Sequence, residues 1–390
     1  MMENCTSEMA FSGRCGARTV FDFDCSPAAR LPGFCPILAE QFSPEDHSNV
    51  KAHAHRRQRT PARRQTARNL VLAVDIGGTK VEAALVSAGG RIIFSERTAM
   101  VADSRASDGL AAVRRAIDAV LGHPHARDVR SMGVAVPGWL DVPAGKILKA
   151  ANLPCWSNYP LAQKLHEAYG LPVRMENDAS AAAAAEGRWG SAGRFHNFFY
   201  VSLGTGIGTG IVHRDERGNL QIISSEGGHM SIDYRGPLCP CGKRGCVEMY
   251  ASGKALARGA KSLLAQRRLK NSPLAKLARR TSGGLNAELI GRAAAGGEPV
   301  AVQVVDEAVE RLTVWLGNVI DLLEPEAIVF GGGLGRLMFS YATRMRRRLQ
   351  TLASHPSGSQ VRIIRAQFGS QSALLGAAAL WSRNGSQHGS

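Results

Sequence analysis

From Asn69 onward the chain alternates short apolar runs with glycine-containing polar turns. NLVLAVDIGGTKVEAALVSAGGRIIFSERTA reads as three strands, 70–75, 80–87 and 91–97. The spacing then lengthens. SDGLAAVRRAIDAVL predicts a helix over 107–121, with Ser107 as candidate N-cap and Gly122 as its stop. VRSMGVAV is a strand at 129–136 that ends at Pro137-Gly138, and a helix at 161–169 stops at Gly170. A strand at 172–175 runs through Glu176-Asn177-Asp178 into an alanine-rich helix at 179–187, so the first unit reads βββαβαβα.

The pattern restarts at Asn197. NFFYVSLGTGIGTGIVHRDERGNLQIIS again gives strand, Gly/Thr turn, strand, turn and strand, which points to an internal duplication. Helices follow near 252–266, 286–295 and 299–323. A strand at 326–330 leads into Gly331-Gly332-Gly333, and 372–382 is a small-residue helix. Two such halves, each a sheet with covering helices, make an α/β fold of two lobes facing one another across a cleft.

Residues 1–68 show neither period and are expected to be a disordered leader. Within them, 51–68 hold seven Lys and Arg and no acid, a large share of the formal net charge of +16. A solvated arm is the expected state, and nucleic-acid binding by it is the weaker reading. No apolar run reaches membrane-spanning length and no signal peptide opens the chain, so a soluble cytoplasmic protein without a membrane partner is expected. Of eight Cys, three sit in one cluster, which suits a reducing compartment better than a disulfide framework.

That cluster lies in EGGHMSIDYRGPLCPCGKRGCVE, 226–248. His229, Cys239, Cys241 and Cys246 are four donors within eighteen residues, a set that closes a tetrahedral structural zinc site. Glu226 and Glu248 flank it, either as surface residues of a zinc ribbon or as two acids held beside a polar pocket. Asp75-Ile76-Gly77-Gly78-Thr79-Lys80 lies at a strand–turn–strand junction. Its Gly77, Gly78 and Thr79 could cradle a phosphate, and Asp75 could hold a water of Mg²⁺; an ordinary hairpin is the alternative. Gly204, Thr205, Gly206 and Gly208 occupy the equivalent turn of the second half, and a pair of such turns could grip a polyphosphate from both sides. Gly331, Gly332 and Gly333 could admit a flat nucleoside or simply turn strand into helix. Asn177 or Asp178 would cap the helix that follows them. Otherwise Asp178 is a general base, kept ionised by the helix N-terminus, for a sugar hydroxyl.

Taken together, DIGGTK, GTGIGTG, VFGGGLG, ENDA and EGGH with CPCGKRGCVE resemble the motifs of the ROK family of sugar kinases and repressors, over about Asn69 to Trp381. The resemblance implies an actin/hexokinase-like two-lobe fold, a duplicated ribonuclease H-like unit, usually in a homodimer. It implies ATP·Mg²⁺ at the glycine loops, Lys80 included, and Asp178 as the base. Asn177, Glu226, His229 and Glu248 would contact a hexose. Gly138 and Asn152, in Pro137-Gly138 and Ala151-Asn152-Leu153, would complete that pocket. His229 and the three Cys would bind zinc.

The expected division is a leader at 1–68, an N-terminal lobe at 69–178 joined by a C-terminal helix at 372–384, a second lobe at 179–371, and a tail at 385–390. The favoured reaction is phosphorylation of a hexose at its 6-hydroxyl, with ANLPCW and CVE-x-YASG closest to glucokinase-type members. N-acetylglucosamine, N-acetylmannosamine and fructose are the alternative acceptors. A sugar-responsive regulator, or a sugar-binding protein that has lost activity, are the competing classes.

Overall fold

The computed structural model of the chain describes residues 69–381 except 267, 268, 270 and 282. The basic leader, the end of the C-terminal helix and the tail therefore lie outside the described residues. All that follows concerns the compact unit Arg64–Ser390.

The first half comprises β1 (Leu70–Ile76), β2 (Lys80–Val86), β3 (Ile92–Ala99), α1 (Ala106–Leu121) and β4 (Val129–Val136). A small antiparallel sheet follows, built from β5 (Trp139–Asp141), β6 (Lys146–Lys149) and β7 (Ser157–Tyr159). Then come α2 (Leu161–Tyr169), β8 (Val173–Asn177) and α3 (Asp178–Arg188). The three-stranded insertion is absent from the expected βββαβαβα order. The start of α1 also differs from expectation. Arg105, not Ser107, is its N-cap, and the Asp108 carboxylate accepts the Arg105 N–H at 3.3 Å.

The second half comprises β9 (Asn197–Leu203), β10 (Ile207–Arg214), β11 (Leu220–Ser225), α4 (Glu248–Ala251), α5 (Gly253–Gln266) and α6 (Pro273–Arg280). It continues with α7 (Ala287–Ala295), α8 (Pro299–Leu323), β12 (Ala327–Gly331), α9 (Gly335–Ser340), α10 (Ala342–Leu352) and β13 (Arg362–Arg365), and ends with α11 (Ser372–Ala379).

The two main sheets have one plan. The first is ordered β3-β2-β1-β4-β8 and the second β11-β10-β9-β12-β13. In each, the first three strands pair antiparallel and the last two add in parallel. Two chain segments that repeat order and polarity in this way are the duplication the sequence pattern suggested.

One face of the first sheet packs on α1 and α2 through Leu72, Val74, Ile117 and Leu165. One face of the second packs on the long α8 and its neighbours through Phe199, Val201, Trp315 and Ile328. Between the two remaining faces runs α3. Its Ala181 and Ala185 join the first sheet and α11, while Ala182 and Ala183 join Phe198 and Tyr200 of the second. Alanine suits this position twice over, as the strongest helix former and as the smallest side chain with a Cβ. A Cβ on Gly208 of β10 would lie 2.8 Å from the Ala179 Cβ, so small residues on both elements permit the approach. The Trp381 indole N–H donates to the Met132 carbonyl at 2.7 Å, tying the end of α11 to β4. Among the described residues no helix is long and apolar enough to cross a membrane.

Candidate functional site

The N-terminus of α3 is the centre of the site. Asn177 is its N-cap: its Oδ1 accepts the N–H of Ala179 at 2.9 Å and of Ser180 at 3.4 Å. The same side chain donates from Nδ2 to the Gly138 carbonyl at 3.2 Å. Gly138 has φ +104°, and a Cβ there would also run into the backbone of Lys149 and Ala150, so only glycine fits. Asp178 is the first residue inside the helix, and its Oδ1 accepts the Ala179 N–H at 2.8 Å. The sequence suggested that the helix terminus keeps this carboxylate ionised. The backbone N–H groups do favour the charged form, but burial outweighs them and pushes the pKa up.

A cavity of about 170 Å³ opens beside this helix end. Gly138, Trp139, Leu140 and Asn177 line one side, and Ser224, Ser225 and Glu226 from the other half line the opposite side. The two sides are joined by a hydrogen bond from the Ser224 hydroxyl to the buried Glu176 carboxylate, which also accepts the Asn177 N–H at 2.8 Å. The Glu226 carboxyl is raised by burial, with His229 opposing and Asp178 and Glu248 adding to the shift.

The end of β1 holds the second carboxylate. Asp75 stands opposite Glu82 in the strand register. Burial lifts its pKa from 3.8 to about 7; Asp178 adds to the shift and Lys80 works against it. Glu82 is buried and holds the Arg97 guanidinium at 2.6 Å, with Lys80 Nζ at 3.7 Å. The Gly77 N–H donates to the Lys80 carbonyl at 2.8 Å, and Thr79 is exposed. A Cβ on Gly78 would fall 2.7 Å from the Asn152 carbonyl oxygen, so Asn152 lies against the β1–β2 turn. Asn152 does not line the cavity.

In the second half, the turn at Gly204, Thr205 and Gly206 closes with a Gly204 N–H bond to the Gly206 carbonyl at 3.0 Å. The first N–H groups of α5 dock on it, Gly253 donating to the Gly204 carbonyl at 2.8 Å and Lys254 to that of Thr205 at 3.4 Å. The Leu334 N–H donates to the Leu203 carbonyl at 2.8 Å, which sets Gly331, Gly332 and Gly333 beside the same turn. Gly332 has φ +75°, and Gly333 is open to its surroundings. Gly208 lies just beyond this turn in β10, where it also makes room for α3.

His229, Cys239, Cys241 and Cys246 place one donor atom each within 4.8 Å of the others. The His229 Nδ1 to Cys239 Sγ distance is 3.5 Å and the Cys241 to Cys246 Sγ distance is 3.6 Å. Tetrahedral zinc with Zn–S near 2.3 Å sets its thiolates about 3.8 Å apart, so the donor set fits the ion. The other ring nitrogen, Nε2, is 4.0 Å from Glu226 Oε2, so this His joins the cluster to the cavity wall. Glu248, for which the resemblance implied a sugar contact, acts electrostatically on Glu226. Its Oε2 accepts the Ile207 N–H at 2.7 Å, which fastens α4 to the start of β10, and it is not among the cavity-lining residues.

Residues 71–384 match the family model described as the ROK family. The chain belongs to the ROK family. A glucokinase of Streptomyces coelicolor is 32% identical over 317 residues, which cover 80% of this chain and 97% of that protein. An N-acetylmannosamine kinase of Citrobacter koseri is 31% identical over 311 residues, covering 79% and 97%. A crystal structure of a ROK glucokinase from Streptomyces griseus, in complex with glucose and AMPPNP, superposes with a TM-score of 0.67 at 33% identity, covering 80% and 98%.

Sequence reasoning missed part of this ROK site. Trp139 and Leu140 enter it on the small sheet, whose hairpin signal, Pro143-Ala144-Gly145 between WLD and KILK, was available. Ser224, Ser225 and the buried Glu176 carried no spacing signal. Neither did the Glu82–Arg97 pair, which strand register alone brings together.

Proposed function

We propose that this chain is an ATP-dependent hexokinase that phosphorylates the 6-hydroxyl of a hexose, with glucose its foremost acceptor. The observation that carries the proposal is the cavity itself: it combines Asn177, Gly138 and Glu226 at the helix end that bears Asp178. A sugar needs a polar wall rich in acceptors and donors, and this one draws on both halves. Asp178 is the base that takes the hydroxyl proton as the γ-phosphoryl group moves; the burial that raises its pKa makes its carboxylate a stronger proton acceptor. The turns at 77–79, 204–206 and 331–333 are the nucleotide side. Magnesium bound with ATP would neutralise phosphate charge and draw the proton off Asp75, whose ordinary ionisation burial suppresses. Closure of the halves on the sugar would exclude water as a competing acceptor. Identity to glucokinases above 30% over most of the chain supports glucose first, and the N-acetylmannosamine kinase likeness makes N-acetylhexosamines the next acceptors to test.

Zinc belongs to the same proposal as a structural ion on His229, Cys239, Cys241 and Cys246. Four protein ligands leave it no open position for chemistry. Its work is to fix the loop that carries Glu226 and, through Glu248, the start of β10. Elemental analysis should give one zinc per chain, lost in Cys241→Ser; protein purified without chelator and free of zinc would contradict this. A homodimer, expected from the family, is tested by light scattering. The reaction is tested by ADP release from ATP·Mg²⁺ with glucose, fructose, N-acetylglucosamine and N-acetylmannosamine in turn. Release that depends on one of these sugars supports the kinase and names the acceptor. No release from folded, zinc-loaded protein with any of them removes the proposal.

A further inference from the structure

We propose that Thr209 is a positioning residue for the carboxylate arm of the sugar pocket, holding Glu226 from both of its flanks. The inference rests on the sugar-facing role given to Glu226 above.

Thr209 belongs to the GTGIGTG stretch of the second Gly/Thr turn, in which Gly204, Thr205, Gly206 and Gly208 are the residues expected to face phosphate. The structure separates the two threonines of that stretch. Thr205 is exposed at the turn, whereas Thr209 is fully buried within β10. The β10–β11 ladder ends with the pair Thr209 and Ser225. Beyond it the chain leaves the sheet for Glu226 and a single 3₁₀ turn, Gly227–His229. Such a turn begins with unsatisfied N–H groups, and Glu226, at its N-cap position, supplies no side-chain bond to them. The missing acceptor comes from the neighbouring strand. Thr209 Oγ1 accepts the Gly227 N–H at 2.9 Å.

The same hydroxyl donates to the Ser225 carbonyl at 2.8 Å, and the Ser225 hydroxyl lies 2.7 Å from it. With its one proton committed to the carbonyl, Thr209 accepts from Ser225 and from Gly227, which uses its full hydrogen-bonding capacity. One buried oxygen therefore fastens the residue before Glu226 and the residue after it. A Cβ on Gly227 would lie 2.9 Å from Thr209 Oγ1, so glycine at that position lets the turn settle onto the threonine. What remains free in Glu226 is its side chain, aimed from a fixed backbone beside the cavity.

The test compares Thr209→Val, Thr209→Ser and Glu226→Gln with the parent, after thermal melting and zinc content show intact folding. Valine keeps the shape and removes the oxygen; serine keeps the oxygen. In Thr209→Val the hexose KM should rise about tenfold while the KM for ATP stays within about twofold, the size expected when a buried hydrogen-bond partner is lost. Amide exchange at Gly227 should quicken by about the same factor, and Thr209→Ser should restore both. If Thr209→Val does not fold, Thr209→Ala against Thr209→Ser carries the same contrast. An unchanged hexose KM in Thr209→Val, or unchanged Gly227 exchange, overturns the proposal while a raised hexose KM in Glu226→Gln leaves the site reading standing. An unchanged hexose KM in Glu226→Gln overturns the reading of Glu226 and this proposal with it.

Discussion

Asn177 performs two tasks with one side chain, and two substitutions separate them. Its Oδ1 caps α3, and its Nδ2 holds the Gly138 carbonyl at 3.2 Å. Alanine removes both. Serine remains a good N-cap but is too short to reach Gly138. A lost cap costs about 1 kcal/mol, and a lost neutral hydrogen bond about 1 kcal/mol. Asn177→Ala should therefore destabilise by about 2 kcal/mol and Asn177→Ser by about half of that, read from urea unfolding midpoints at constant m-value. Both variants lack the carboxamide that faces the cavity, so both should raise the hexose KM several-fold and by a similar factor. Equal destabilisation by serine and alanine would refute the capping argument. A hexose KM unaffected in both would remove Asn177 from the sugar wall.

The raised pKa of Asp75 has a definite sign. Its carboxyl titrates near 3.8 when unfolded and about 7 in the fold, so the folded chain holds this proton more tightly. The stability it contributes is present below the lower value and is lost as pH rises through about 7. The urea midpoint of the parent should fall across that interval, less so in Asp75→Asn, and a parent midpoint that rises there by more than the variant's would contradict this. Glu186 is fully buried and accepts the N–H groups of Ser191, Gln367 and Phe368 at 2.9–3.0 Å. Glu186→Ala should cost at least about 3 kcal/mol, at about 1 kcal/mol or more for each stranded donor; a loss within about 1 kcal/mol would show that water replaces the carboxylate.

Much of this was legible because the chain repeats itself. Apolar runs broken by DIGGTK and GTGIGTG foretold two three-strand units, and the sheets carry one strand order in both halves. The His229 and Cys spacing foretold a cluster because its ligands are close in sequence. Elements whose cues were weak went unread. β13 is four residues with arginine at both ends, and α10 spreads Ala342, Met345 and Leu349 among arginines. Side chains joined only by tertiary structure were out of reach. The Ser224–Glu176 bond spans 48 residues, and the bonds from Gln367 and Phe368 to Glu186 span 181 and 182. Local spacing also says little about orientation. Gly208 and Thr209 are neighbours in GTGIGTG, yet the bare Cα of Gly208 makes room for α3 and the Thr209 hydroxyl bonds to Ser225 and Gly227.

The same architecture explains why α3 can carry the chemistry. Its body is wedged between the two sheets through alanines too small to adjust; its N-cap, Asn177, lines the cavity, and Asp178 follows it as the first residue of the first turn. A base on that turn is held as firmly as the core behind it, which is what proton transfer from an oriented hydroxyl requires.

The most direct test of the account is the rate of sugar-dependent ADP release by Asp178→Asn, measured beside the parent with sugar binding confirmed by calorimetry. Asparagine is nearly isosteric and cannot accept the proton. A fall of about a hundredfold or more at saturating sugar, with binding retained, is the result expected for a lost general base. Turnover within tenfold of the parent would contradict the role of Asp178 and, with it, the mechanism built around this helix end.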